Sequence, residues 1–253
     1  MYRSVVMMKY TKENDIYMRY KKSLLDSFLE QRINDNAKEL KITLNETLKM
    51  EQTCLEQIRQ SISHCKNNIA ACEAQIKKCS LASLPIYETK KSAFKDNLLI
   101  WNTMGHIQMA SIEMKEYLKR LSVDGIDEWE LLDVIKSAYT AIYETSKKLV
   151  DTTAEIIKFI KRCFPDYDYG TFADARKELT KFRELNTAEL TRVRNSIDAH
   201  RDVDVGTQID IIENLHLSEA VQLINDYGKI VNKLGNVTSP IKDLGIKRLQ
   251  ACF

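Results

Sequence analysis

This sequence predicts an all-α fold, a helical bundle with a long coiled-coil-like helical region on its N-terminal side. Three observations carry that prediction. Among 253 residues there are only 7 Gly and 3 Pro, whereas sandwiches, barrels and doubly wound α/β folds need those residues at many turns. The stretches between the few breakers are long and rich in Leu, Ile, Lys and Glu, which helices favour. Within them, apolar residues recur in steps of three and four. Hydrophobic residues make up 44% of the chain and charged residues 29%, a globular composition that can bury a core without disulfides or metals.

The first element is a sustained heptad. Leu44, Leu48, Leu55, Ile58, Ile62, Cys65, Ile69, Cys72, Ile76 and Cys79 form one narrow stripe, interrupted only by Glu51. Such a seam belongs to a coiled coil or a long helical hairpin. A helix from Thr43 to Cys79 would run about 55 Å at 1.5 Å per residue. The preceding amphipathic segment (Tyr17, Leu24, Leu25, Phe28, Leu29 and Ile33) is a candidate antiparallel partner. Cys65, Cys72 and Cys79 lie seven apart, about 10 Å on a helix, too far to share one ion. They read as small seam residues.

Leu84-Pro85 closes this region, because proline breaks a helical run. A second helix is expected from Ser92 to Leu121, ahead of the Asp124-Gly125 break. A third is expected from Asp127, a suitable N-cap, to Cys163, with a seam of Leu132, Ile135, Tyr139, Ile142, Ser146, Leu149, Thr153, Ile156, Ile160 and Cys163. After the break at 164–170, a fourth runs from Thr171 to near His200, before the Asp202–Gly206 break. A last helix begins near Ser218 and should end at Gly235. The tail, Asn236 to Phe253, holds Pro240 and Gly245 and is expected to pack irregularly. The domain reading is 1–85, a coiled-coil-like region, and 86–253, a helical bundle.

No stretch approaches the roughly 20 apolar residues that span a bilayer. The Val5–Met8 run is too short for a signal segment and lacks a small-residue cleavage site. A cytoplasmic protein with no membrane partner is therefore expected, its six Cys as free thiols. No two Cys form a Cys-x-x-Cys pair. A net charge of +2 supplies no global field for nucleic acid. Phosphate-loop, dinucleotide, zincin and nucleophile-elbow signatures are absent. No metal or cofactor site is expected.

His64 and His106 sit inside helical stretches with no ligand cluster beside them. His200 differs. It closes the run Thr191-Arg192-Val193-Arg194-Asn195-Ser196-Ile197-Asp198-Ala199-His200-Arg201-Asp202, just before a break. Arg194-Asn195, four further residues and then His200 resemble the R-x(4–6)-H motif of the HEPN superfamily. In that motif a polar residue often follows the Arg. The Ala199–Asp202 ending is similar to members associated with abortive infection. The resemblance spans roughly Ser92 to Leu234, with the strict match at Arg194–His200.

The resemblance implies a helical bundle that cleaves RNA without metal, in an antiviral-defence or toxin role. RNA carries its own nucleophile, the 2′-OH, so the protein must orient it, move protons and stabilise phosphorane charge. His200 would be the proton-transfer group. Arg194 would hold the non-bridging oxygens. Asn195 would orient the pair, and Asp198 would set the His200 tautomer or pair with Arg194. Arg192 and Arg201 are candidate RNA-backbone contacts. On a regular helix Arg194 and His200 end about 120° apart. A bend before His200, or a composite site in a homodimer as HEPN relatives form, would resolve this. An antitoxin or sensor partner would bind the N-terminal arm.

The alternative is a non-catalytic helical scaffold. His200 continues the stripe of Val193 and Ile197, and Arg194 with Asp198 would then be a surface ion pair. Asp166-Tyr167-Asp168-Tyr169 is an acidic, aromatic loop open to a partner or a cation, though two acids without further ligands usually remain solvated. The bases of the fourth helix (Arg176, Lys177, Lys181 and Arg183) are interleaved with Glu178 and Glu184, as on a solvated face.

Overall fold

The computed structural model describes residues 28–122, 126–195, 211 and 214–252. Five long helices account for nearly all of them: α1 Phe28–Ile76, α2 Leu84–Leu121, α3 Glu128–Cys163, α4 Gly170–Val193 and α5 Leu217–Gln250. No strand occurs among the described residues. The all-α prediction holds. None of these helices is long and apolar enough to cross a membrane.

The helix starts follow from local chemistry. Asp127 caps α3 as expected: its Oδ1 accepts the Glu130 N–H at 2.9 Å, and its carbonyl accepts the Leu131 N–H. Asp168 Oδ1 accepts the Gly170 N–H at 2.8 Å and closes the turn that opens α4. The His216 carbonyl accepts the Ala220 N–H at 3.0 Å, opening α5. Pro85 falls where the chain passes from α1 to α2. It lies in the first turn of α2, where a missing N–H costs nothing because no partner precedes it. The turn is made earlier, where the Ser80 carbonyl accepts the N–H groups of Ser83 and Leu84.

Contacts group the chain into two units. The first draws on the described parts of 1–48, 113–143 and 186–227; the second draws on 49–112, 144–185 and 228–253.

In the second unit, α1 and α2 form an antiparallel hairpin. Glu73 pairs with Lys91 at 2.7 Å, and the His64 ring meets Phe94 edge-on at 6.2 Å. Gly105 faces Ile58 and Ile62, and Ser111 donates to Glu51 at 2.9 Å. Partners rise along one helix as they fall along the other. The heptad packs here on α2; of the segment before it, Phe28, Leu29 and Ile33 lie on α1 itself, while Tyr17, Leu24 and Leu25 lie outside the described residues. Ile58, Cys65 and Cys72 are buried in this seam, and burial pushes the Cys65 thiol up. Glu51 breaks the apolar stripe because α2 presents a hydroxyl opposite it. All six cysteines are free thiols.

The same unit holds a core of Ile100, Ile156, Phe159, Ile160, Phe172, Ile241 and Leu244. Two of these come from the stretch expected to be irregular. α5 runs straight through Gly235 and Pro240 to Gln250. The apolar face of Val237, Ile241 and Leu244 finds a core to cover, and that burial outweighs the backbone bond that Pro240 removes. Gly245 makes the closest approach. Asn97 on α2 donates to the Gly245 carbonyl at 2.8 Å and to the Ala93 carbonyl at 3.0 Å. Asp96 beside it is buried and held by Arg162 of α3, with Arg248 of α5 at 3.8 Å.

In the first unit, α3 is the central element. Leu132, Ile135, Tyr139 and Ile142 of the expected seam are all buried. Leu190 and Val193 of α4, and Leu217, Val221, Ile224 and Tyr227 of α5, are buried in the same unit.

Candidate functional site

The carboxyl end of α4 lies in the first unit. Leu190 and Val193 are almost fully buried and anchor the last turns. The α-helical pattern stops at Val193, and Arg194 and Asn195 continue in a wider π-type turn. Such turns interrupt a regular helix and recur at functional positions. The described α-helix ends one residue before the motif begins, and the rest of the expected stretch to His200, beyond Asn195, lies outside the described residues.

Arg194 and Asn195 are both half-buried and in contact. Arg194 Nη1 donates to Asn195 Oδ1 at 3.0 Å. The guanidinium carbon lies 5.0 Å from the centre of the Tyr143 ring on α3, within cation–π range. A guanidinium is planar and matches planar anions through its N–H groups. Arg192, two residues earlier, is exposed.

One turn before Tyr143, Tyr139 is buried and its hydroxyl bonds the Glu189 side chain of α4. Burial, followed by the Glu189 and Glu219 charges, pushes this phenol well above its ordinary range; Arg192 acts weakly the other way. Tyr139 is thus a fixed, neutral hydrogen-bond donor. It fastens α3 to the last turns of α4, which carry Arg194.

Arg194 and Asn195, neighbours in sequence, share a side-chain hydrogen bond. Asp198, His200 and Arg201 lie outside the described residues. Tyr143 was not singled out in the sequence. It follows Ile142 of the α3 seam by one position, and only an aromatic flanking that seam marks it.

Several of the remaining candidates have local partners. His64 is exposed, with its Nε2 3.2 Å from Asn68 Nδ2. His106 is half-buried; burial, then Lys148, lowers its pKa. In the 166–169 loop Asp168 caps α4, while Tyr167 and Tyr169 pack against the core. On α4, Lys177 pairs with Asp174 at 3.0 Å, and Glu178 accepts Lys233. Among the described residues no group of three His, Cys, Asp or Glu side chains is placed to hold a metal ion.

No protein-family model, no curated protein and no solved structure matches this chain.

Proposed function

We propose that this protein is a HEPN-type endoribonuclease that cleaves RNA without a metal ion, acting in the cytoplasm in defence or as a toxin. The observation that supports this reading most is the Arg194 guanidinium, stacked on Tyr143 and bonded to Asn195, at the position where the motif calls for a phosphate-binding arginine. Two contacts hold the fork before any substrate arrives, so little ordering is left for binding.

In this reading Arg194 holds the non-bridging oxygens of the scissile phosphate and offsets the charge that grows on the phosphorane. His200 takes the proton from the 2′-OH, and the leaving 5′-oxygen is protonated as its bond to phosphorus breaks. The products are a 2′,3′-cyclic phosphate and a 5′-OH. Two copies form a homodimer in which the motifs share one cleft. Arg192 and Arg201 contact the RNA backbone, and the N-terminal arm receives a sensor or an antitoxin.

The test is purified protein with mixed cellular RNA in EDTA. Cleavage that disappears in His200→Ala, with folding matched by circular dichroism, is the expected result. Intact RNA, or cleavage that survives the substitution, would contradict the reading.

A specific observation favours a second reading, a non-catalytic scaffold. Leu81 and Ile86, at the tip of the α1–α2 hairpin, are 89% and 56% exposed. Exposed apolar pairs of this kind suit a protein partner.

A further inference from the structure

The first unit holds an aromatic side chain that the motif does not use. Trp129, in the first turn of α3, is 61% exposed. Trp129, Lys136 and Tyr143 are spaced seven apart on α3. Each step of seven falls about 20° short of two full turns, so the three share one helix face over about 21 Å. Tyr143 ends this row and carries Arg194 on its ring. Lys136, in the middle, is half-buried and paired with Asp133 at 3.1 Å. The row thus offers a bare indole at one end and a stacked guanidinium at the other.

We infer that single-stranded RNA lies along this face of α3, with a base stacked on Trp129 and a phosphate held by Arg194; this rests on the ribonuclease reading. The charges beside Trp129 point to a base at that end. Glu130 and Asp133 are both exposed there, and acids repel phosphates but not the π-face of a base. Stacking tolerates any base and needs no positive charge. At the other end the Arg194 guanidinium lies over the Tyr143 ring, and a planar guanidinium suits a phosphate. Trp129 is then a positioning residue. It never touches the reacting atoms, and it acts only on RNA long enough to reach both ends.

That length dependence gives the test. Cleavage is measured for an oligoribonucleotide of about 12 nucleotides, within the range that single-strand binding sites cover, and for a dinucleotide. Trp129→Ala is expected to raise KM for the longer RNA about tenfold, as the loss of one stacked base implies. It should leave kcat, and both constants for the dinucleotide, unchanged. Trp129→Phe should restore the longer substrate. A loss shared by both substrates, or none with the longer one, overturns the inference and leaves the ribonuclease reading standing.

Binding is read separately. The chain has two tryptophans, so the Trp101→Phe protein reports Trp129 alone. Saturable quenching by the longer RNA without any cleavage would keep the surface and remove the nuclease. Absence of both quenching and cleavage would remove both.

Discussion

The Arg194 guanidinium lies 5.0 Å from the centre of the Tyr143 ring, and its Nη1 donates to Asn195. One contact comes from the neighbouring residue and the other from α3. If this fork holds the scissile phosphate, the ring matters and its hydroxyl does not. Tyr143→Phe should then cleave RNA within about twofold of wild type. Tyr143→Leu should lower kcat about fivefold, the rate equivalent of a partly exposed cation–π contact of about 1 kcal/mol. Single-turnover cleavage of one defined RNA distinguishes the two variants.

Two glycines of α5 should respond oppositely to the same substitution. In a helix interior, Gly→Ala ordinarily gains about 1 kcal/mol. Gly228 has nothing within 4 Å of an added Cβ, so Gly228→Ala should raise the urea midpoint. At Gly245 a Cβ would sit 2.6 Å from Asn97 Oδ1 and 2.9 Å from Ile100 Cδ1. Asn97 is fixed by its two carbonyl bonds, so it gives way poorly. Overpacking of about 1–3 kcal/mol exceeds the propensity gain, and Gly245→Ala should lower the midpoint.

The Asp127 cap is open to a similar test. Asp127→Ala removes the acceptor for the Glu130 N–H and should cost about 1 kcal/mol. Asp127→Asn keeps an acceptor oxygen and should retain most of that stability. Chemical denaturation of the three proteins at equal m-value checks this.

Glu113 gives a pH-dependent effect of known sign. Burial raises its pKa above the ordinary carboxylate value, because the charged form is poorly solvated there. The folded state thus resists ionisation more than the unfolded chain. Its destabilising effect is fully present above the raised folded pKa and vanishes below the unfolded one. Glu113→Gln should therefore be more stable than wild type at neutral pH, with the gap closing as the pH is lowered through the carboxylate range. Paired thermal melts across that range would show the convergence.

How legible the fold was depended on whether one helix carried its own signal. α3 was readable nearly to the residue. Its ten seam positions from Leu132 to Cys163 repeat at helical spacing, the first nine are buried and Cys163 is half-buried, and Asp127 caps it. α5 was misread beyond Gly235. Gly235 and Pro240 are local stop signals, and what overrides them is tertiary: Ile241 and Leu244 join Phe159 and Phe172 in one core. Nothing in 236–253 announces that core. Pro85 marks the change from α1 to α2, and at a helix start it costs nothing. At the candidate site, Arg194 and Asn195 stood out because they are adjacent in a motif. Tyr143 did not, because its pairing with Arg194 joins residues 51 positions apart in the sequence.

The central claim is that Arg194 serves RNA cleavage, and the chemistry of the RNA ends tests it most directly. Wild type, Arg194→Lys and Arg194→Ala, matched in thermal stability, would be incubated with one defined RNA in EDTA and the product termini identified. A 2′,3′-cyclic phosphate and a 5′-OH are expected from wild type. Arg194→Lys should be strongly impaired, because an ammonium cannot form the planar fork, and Arg194→Ala should be inactive. Unchanged cleavage by Arg194→Ala, or products ending in a 5′-phosphate, would contradict the account.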